Sequence, residues 1–178
     1  ILEIVTQMVK DGAHIIDIGG ASTAPKNIYG TTATPIKTEH ERLTKAMEIL
    51  GDEIRIPISI DTRSSTIAET ALDLGATLVN DISGLQHDPD MAKLVAQRDV
   101  PVILMANCGS PCDSITDSIE SLKSSLQIAK DEGIPDEHII IDPGIGFGKQ
   151  AEVDYRILQH LNRYRCLGYP LMVGVSRK

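Results

Sequence analysis

The sequence predicts an α/β protein built on a parallel sheet, and three observations carry that expectation. Six short runs rich in Ile, Val and Leu recur along the chain: "HIIDIGG" (14–20), "PISIDT" (57–62), "TLVNDI" (77–82), "VPVILMAN" (100–107), "HIIIDPG" (138–144) and "PLMVGVSRK" (170–178). Their length and β-branched content suit strands buried on both faces. Segments of helical periodicity separate them, and this alternation implies parallel strands joined by crossover helices. Nearly every run also ends on a polar residue: Asp17, Asp61, Asn80 with Asp81, Asn107, Asp142, and finally Ser176, Arg177 and Lys178.

Each helix has its own signal. "ILEIVTQMVKDG" sets Ile1, Ile4, Val5, Met8 and Val9 at helical spacing, and Gly12 is placed to end it. "TEHERLTKAMEIL" opens with Thr38 and carries Glu41 three positions on, the spacing of a capping box. "STIAETALDLG" repeats that pattern with Thr66 and Glu69 and stops at Gly75. In "HDPDMAKLVAQ", Asp88 before Pro89 fits an N-cap followed by proline at the first helical position. "SITDSIESLKSSLQIAKDEG" is a long helix closed by Gly133, and "AEVDYRILQHLNRY" supplies the last.

An open doubly wound sheet and a closed barrel share this alternation. The polar run ends separate them. In an open sheet only strands near the switch point share a site. In a barrel the C-terminal ends of all strands converge on one face. Polar groups on all six runs favour a (β/α)8 TIM barrel, present here as a partial barrel of six βα units. The expectation is a single domain over residues 1–178, truncated at both ends, because a helix begins at once and the chain stops after an apparent strand.

Composition narrows the function. The net charge is −8 and aromatics are 3%, with no Trp, which argues against a nucleic-acid partner. No apolar run is long enough to span a bilayer, so no membrane partner is expected. Cys108, Cys112 and Cys166 make an odd set, which suggests a reducing, cytoplasmic setting. "CGSPC" has no second ligand pair, so it reads as two loop thiols rather than a zinc site. The long connection 20–37 has no apolar period, as functional or mobile loops do.

The stretch "IIIDPGIGFGK" (139–149) is the most informative. It fails the phosphate-binding pattern G-x-x-x-x-G-K-[ST], because Pro143 stands at the first glycine and Gln150 follows Lys149. It fails G-x-G-x-x-G as well. Two readings remain: a tight βα turn that needs glycine for its backbone angles, or a carboxylate, Asp142, mounted beside a loop that lets a flat ligand approach. Asp61 and Asn80 offer similar hydrogen-bonding groups at neighbouring strand ends. Each also has a plain alternative: Asp61 as a helix cap, and Asn80–Asp81 as an Asx turn.

Taken in order and spacing, "DIGGAST", "SIDT", "VNDISG", "DPGIGFGK" and "GVSRK" resemble dihydropteroate synthase and its pterin-binding relatives, over nearly the whole chain. That family is a (β/α)8 barrel, and this chain would correspond to its strands two to seven. The resemblance implies a transferase of folate biosynthesis. It would condense 6-hydroxymethyl-7,8-dihydropterin diphosphate with p-aminobenzoate, or a related arylamine, to dihydropteroate and pyrophosphate. It implies that Asp61, Asn80 and Asp142 hold the aminopyrimidine edge of the pterin and that Lys178 reaches its other side. Asp142 and Lys178 are then the catalytic candidates. Met105 and Phe147 would line the apolar walls, Ser176 and Gly174 would lie near the substrates, and Thr23 would belong to a mobile loop closing over them. Mg2+ would come bound through the substrate diphosphate, with its strand-one ligand outside this chain and no metal ligand within it. A homodimer is left open.

The chain departs from the family pattern at three places. "STAPK" puts Ala24 where an anion-contacting arginine is usual. "LMAN" puts Ala106 and Asn107 in place of a histidine and a methionine. The groups of strands one and eight are absent. The alternatives are a non-catalytic pterin-binding relative, favoured by Ala24 and Asn107, and a corrinoid-linked pterin methyltransferase, which Lys178 opposes. The chain by itself is expected to bind pterin weakly and to be inactive in catalysis.

Overall fold

A computed structural model describes residues 1–21, 34–109 and 111–175. The elements run α1 (Leu2–Lys10), β1 (Ile16–Gly19), α2 (Ile36–Leu50), β2 (Ile58–Asp61), α3 (Ser65–Asp73), β3 (Leu78–Asp81), α4 (Met91–Arg98), β4 (Val102–Met105), α5 (Ile115–Asp131), β5 (Ile139–Asp142) and α6 (Ala151–Gln159). A 3-10 segment, Leu161–Leu167, follows α6. The strands pair in chain order β1-β2-β3-β4-β5 and every pair is parallel. This is the expected α/β architecture.

Side chains alternate along each strand, and burial fixes which set faces the helices. Ile58, Ile60, Val79, Val102, Leu104, Ile139 and Ile141 are all at most 2% exposed. They share one core with Leu43 and Met47 of α2, Ile67 of α3, Val95 of α4, Leu122 of α5 and Ile157 of α6. The opposite face carries Asp17, Asp61, Asn80, Met105 and Asp142. A one-residue slip would drive the isoleucines out of the core and the carboxylates into it, so the apolar set also fixes the polar one.

The sixth expected strand is reduced to one parallel bridge between Ile141 and Leu171. Two backbone bonds make it, Ile141 N–H to Pro170 O at 2.9 Å and Met172 N–H to Ile141 O at 2.8 Å. The run lies at the sheet edge. Residues 171–173 are half-buried, and Gly174 and Val175 are exposed, so little packing enforces a longer ladder.

Helix starts differ from the sequence signals in three places. The α2 helix begins at Ile36, ahead of Thr38, with Pro35 at its N-cap and no side-chain cap. Proline's fixed φ sets the entry there, which leaves Thr38 and Glu41 inside the helix. The α3 helix begins at Ser65, so Thr66 is internal too. The α4 helix begins at Met91 after Asp90, and Asp88 is not its cap. Asp88 caps the neighbouring helix instead: its Oδ2 accepts the Ser65 N–H at 2.7 Å. By contrast, α5 starts as its sequence indicates, with Ser114 Oγ accepting the Asp117 N–H at 3.1 Å.

Cys108 and Cys112 are joined in a disulfide, whereas the sequence reading made them two loop thiols. The turn between them brings their Cα atoms to 5.4 Å, inside the range that a bridge requires. Cys166 is free and exposed. Among the described residues, no helix is long and apolar enough to cross a membrane.

Candidate active site at the strand ends

The register brings the polar strand ends together. Gly19 lies beside Asp61, Asp61 beside Asn80, and Met105 beside Asp142. Asn80 Nδ2 donates to Asp17 Oδ2 at 3.2 Å, from β3 over β2 to β1. Side chains two strands apart meet this way only on the concave side of a curved sheet.

Asp61 stands between these two strands. Its Oδ1 is buried and has no hydrogen-bond partner among the described residues, a costly condition for a carboxylate oxygen. Burial, followed by the negative charges of Asp17, Glu39 and Asp81, raises its pKa to about 7, and Arg63 opposes that rise. The helix-cap alternative fails, because the Ser65 N–H at the start of α3 goes to Asp88. The Asx alternative holds for only one of its two residues. Asp81 points to the helix side, fully buried, and accepts from Ser83 N–H at 2.7 Å and Leu85 N–H at 2.8 Å. Asn80 faces the other way.

Asp142 is 6% exposed, and its Oδ1 accepts the Gly144 N–H at 2.7 Å. Gly144 has φ +72°, and Gly146 and Gly148 are also left-handed, so the glycines are required by the backbone. The turn reading therefore holds, and Asp142 stands at the strand exit beside that loop. A Cβ at Gly144 would lie 3.1 Å from Lys149 Nζ and 3.1 Å from Met105 Cγ. Lys149, itself buried, donates to the Gly144 carbonyl and clasps the loop shut. Behind it, Tyr164 Oη donates to Ser118 Oγ at 2.8 Å, and Ser118 Oγ donates to Pro143 O at 3.5 Å, tying α5 and the 3-10 segment to the strand exit.

A cavity of about 240 Å³ opens beside these groups, lined among others by Arg63, Met105, Ala106, Asn107, Phe147 and Lys149. Met105 and Phe147 thus line this cavity. Asp61, Asn80 and Asp142 are not part of that lining; they occupy the adjoining concave face. Asn107 has a structural task as well, since its Oδ1 accepts the Gly109 N–H at 2.9 Å. Gly174 is exposed, with open space where a side chain would be. Thr23, Ala24, Ser176 and Lys178 lie outside the described residues, as does most of the long connection after β1.

Sequence reasoning did not assign Arg63 or Lys149 to the site. Arg63 had a usable signal, since it follows two positions after a strand-ending carboxylate. Lys149 had none, because its burial depends on the loop folding back over Gly144.

A model described as "Pterin binding enzyme" matches residues 1–178. The chain belongs to the pterin binding enzyme family. It is 42% identical over 176 residues to the dihydropteroate synthase of Clostridium beijerinckii, covering 98% of this chain and 64% of that protein. It is 38% identical to the dihydropteroate synthase of Bacillus subtilis, covering 97% of this chain and 60% of that protein. A solved dihydropteroate synthase from Clostridium difficile, in the presence of pteroic acid, superposes with a TM-score of 0.91 at 39% identity over 99% of this chain and 67% of its own. The Xanthomonas albilineans enzyme with 4-aminobenzoic acid gives 0.91 at 34% identity over 99% of this chain and 64% of its own. The chain thus spans somewhat under two thirds of the length of these curated relatives.

Proposed function

We propose that this chain forms the pterin-holding part of a dihydropteroate synthase, a transferase of folate biosynthesis. The enzyme joins 6-hydroxymethyl-7,8-dihydropterin diphosphate to p-aminobenzoate or a related arylamine and releases pyrophosphate. The carrying observation is the buried, unpartnered Oδ1 of Asp61, beside Asn80 and on the same face as Asp142. A carboxylate oxygen in that condition calls for an N–H donor from a ligand, and an aminopyrimidine edge presents a row of them. The relatives crystallised with pteroic acid and 4-aminobenzoic acid support both substrates.

In the reaction, the C–O bond between the pterin methylene and the diphosphate breaks, and the pair of electrons leaves with pyrophosphate. The arylamine nitrogen attacks the methylene and afterwards loses a proton. Positive character spreads over the methylene and ring as the bond breaks. Asp142, buried and held in place by the Gly144 N–H, faces the ring and stabilises that charge. Met105 and Phe147 close on the ring faces and exclude water. The resemblance gives Lys178, which lies outside the described residues, the role of a cation toward the pterin. Mg2+ is expected to travel with the diphosphate. Among the described residues no group of three or more His, Cys, Asp or Glu side chains is placed to hold a metal. We place the enzyme in the cytoplasm.

The test is turnover by a protein of the relatives' full length carrying this sequence, supplied with the pterin diphosphate and a panel of arylamines. Pyrophosphate release with p-aminobenzoate is the expected result. Tight pterin binding with no release from any arylamine would point instead to a non-catalytic pterin binder.

A further inference from the structure

We infer that Arg63 is a specificity-determining residue of this site, reading the anionic oxygens of a substrate through its guanidinium. The inference rests on the functional reading above and deepens it.

The argument starts from charge. Asp17 of β1, Glu39 in the first turn of α2 and Asp81 at the end of β3 all place negative charge close enough to Asp61 to be felt there. A field of that sign suits the electron-poor edge of a pterin and repels anions. Yet both proposed substrates carry anionic groups, a diphosphate on one and a carboxylate on the other. Cations at the entrance must offset the repulsion. Among the described residues lining the cavity, the two cationic types are Arg63 and Lys149. Lys149 is 8% exposed and spends a donor on the Gly144 carbonyl. Arg63 is exposed, and it makes no hydrogen bond or salt bridge to any described residue.

Its position follows from the fold. β2 ends at Asp61, the Thr62 side chain turns back to donate to Glu39 Oε1 at 2.7 Å, and α3 begins at Ser65. The chain between is anchored on both sides, so Arg63 is presented at the rim of the cavity that Met105 and Phe147 line. A guanidinium offers a planar fork that matches carboxylate and phosphate oxygens in pairs, which an ammonium cannot reproduce. The shared chemistry is thus an anionic oxygen group. It belongs either to the arylamine carboxylate or to the diphosphate.

The experiment uses the full-length protein and its Arg63→Ala and Arg63→Lys variants. KM is measured for p-aminobenzoate at saturating pterin diphosphate, and for the pterin diphosphate at saturating p-aminobenzoate. A neutral amine, p-aminobenzamide, serves as the uncharged control for KM, and the unphosphorylated 6-hydroxymethylpterin, which has no leaving group, serves as the uncharged control for binding, read by calorimetry. All arms are run well above the Asp61 pKa of about 7, so that loss of Arg63 does not act through that carboxyl. Arg63→Ala is expected to raise the KM of one anionic substrate about tenfold, with Arg63→Lys recovering part of it and both controls unchanged. The arm that moves identifies the anion. Unchanged KM for both anionic substrates in an active protein would overturn the inference alone, as would equal losses on the neutral controls. A parent protein that neither binds the pterin nor releases pyrophosphate would overturn the functional reading, and the inference with it.

Discussion

Asn80 reaches over the strand that carries Asp61 to donate a 3.2 Å hydrogen bond to Asp17. The bond holds the Asn80 amide on the concave face and leaves Asp61 flanked by polar groups, with no donor among the described residues for Oδ1. Asp17 is therefore an orienting residue for Asn80.

Asp61→Asn and Asp142→Asn should each weaken pterin binding by about tenfold or more, roughly 1.4 kcal/mol. Each turns an acceptor into a donor facing a donor. Asp17→Asn should cost less, because it disturbs only the orientation of Asn80. Calorimetry with 6-hydroxymethylpterin on the three variants checks the order. Binding as tight as the parent's in the first two would remove both carboxylates from the pterin site.

Asp61 predicts pH dependences of opposite sign. Its folded pKa of about 7 lies above the ordinary 3.8, so between those values the folded chain holds a proton that the unfolded chain has released. The stability it contributes is full below 3.8 and is lost as pH rises through about 7. Denaturant midpoints should fall over that window, and Asp61→Asn should flatten the slope. Pterin affinity should rise over the same window, since the ligand's donors favour the ionised carboxylate. Affinity that falls with pH would contradict the assignment.

Gly144→Ala should destabilise the fold by about 1–2 kcal/mol through the left-handed backbone alone. Crowding against Met105 and Lys149 adds to that. Urea denaturation reads the loss. An unchanged midpoint would show that the loop after β5 does not hold the geometry described.

The Cys108–Cys112 bridge closes a short ring with a sequence separation of 4. Short rings remove little unfolded-state entropy, so Cys112→Ser should cost about 2 kcal/mol or less in stability. Thiol titration of the denatured, unreduced chain should find Cys166 alone reactive. Three reactive thiols would refute the bridge.

The sequence by itself determined the α/β class, the parallel order of the strands and the polar identity of their ends. Those features are written in local terms: apolar runs such as 139–141, the alternation of strand and helix periods, and a carboxylate or amide after each run. The extent of α5 was legible for the same reason, since its periodic segment closes on the nearby Gly133. What the sequence left open needed groups far apart in the chain to meet. Asp88 and Asp90 both suit a cap, and only packing of α4 against α3 sends Asp88 to Ser65. Asn80 and Asp81 are adjacent and similar, and only the register decides that one faces the concave side while the other is sealed against the helices. Lys149 reads as a loop cation until the glycine loop folds it over Gly144. Cys108 and Cys112 read as two thiols until the turn after β4 brings them within bonding distance. Periodicity and composition report what each residue prefers, whereas tertiary structure alone decides which partner satisfies it.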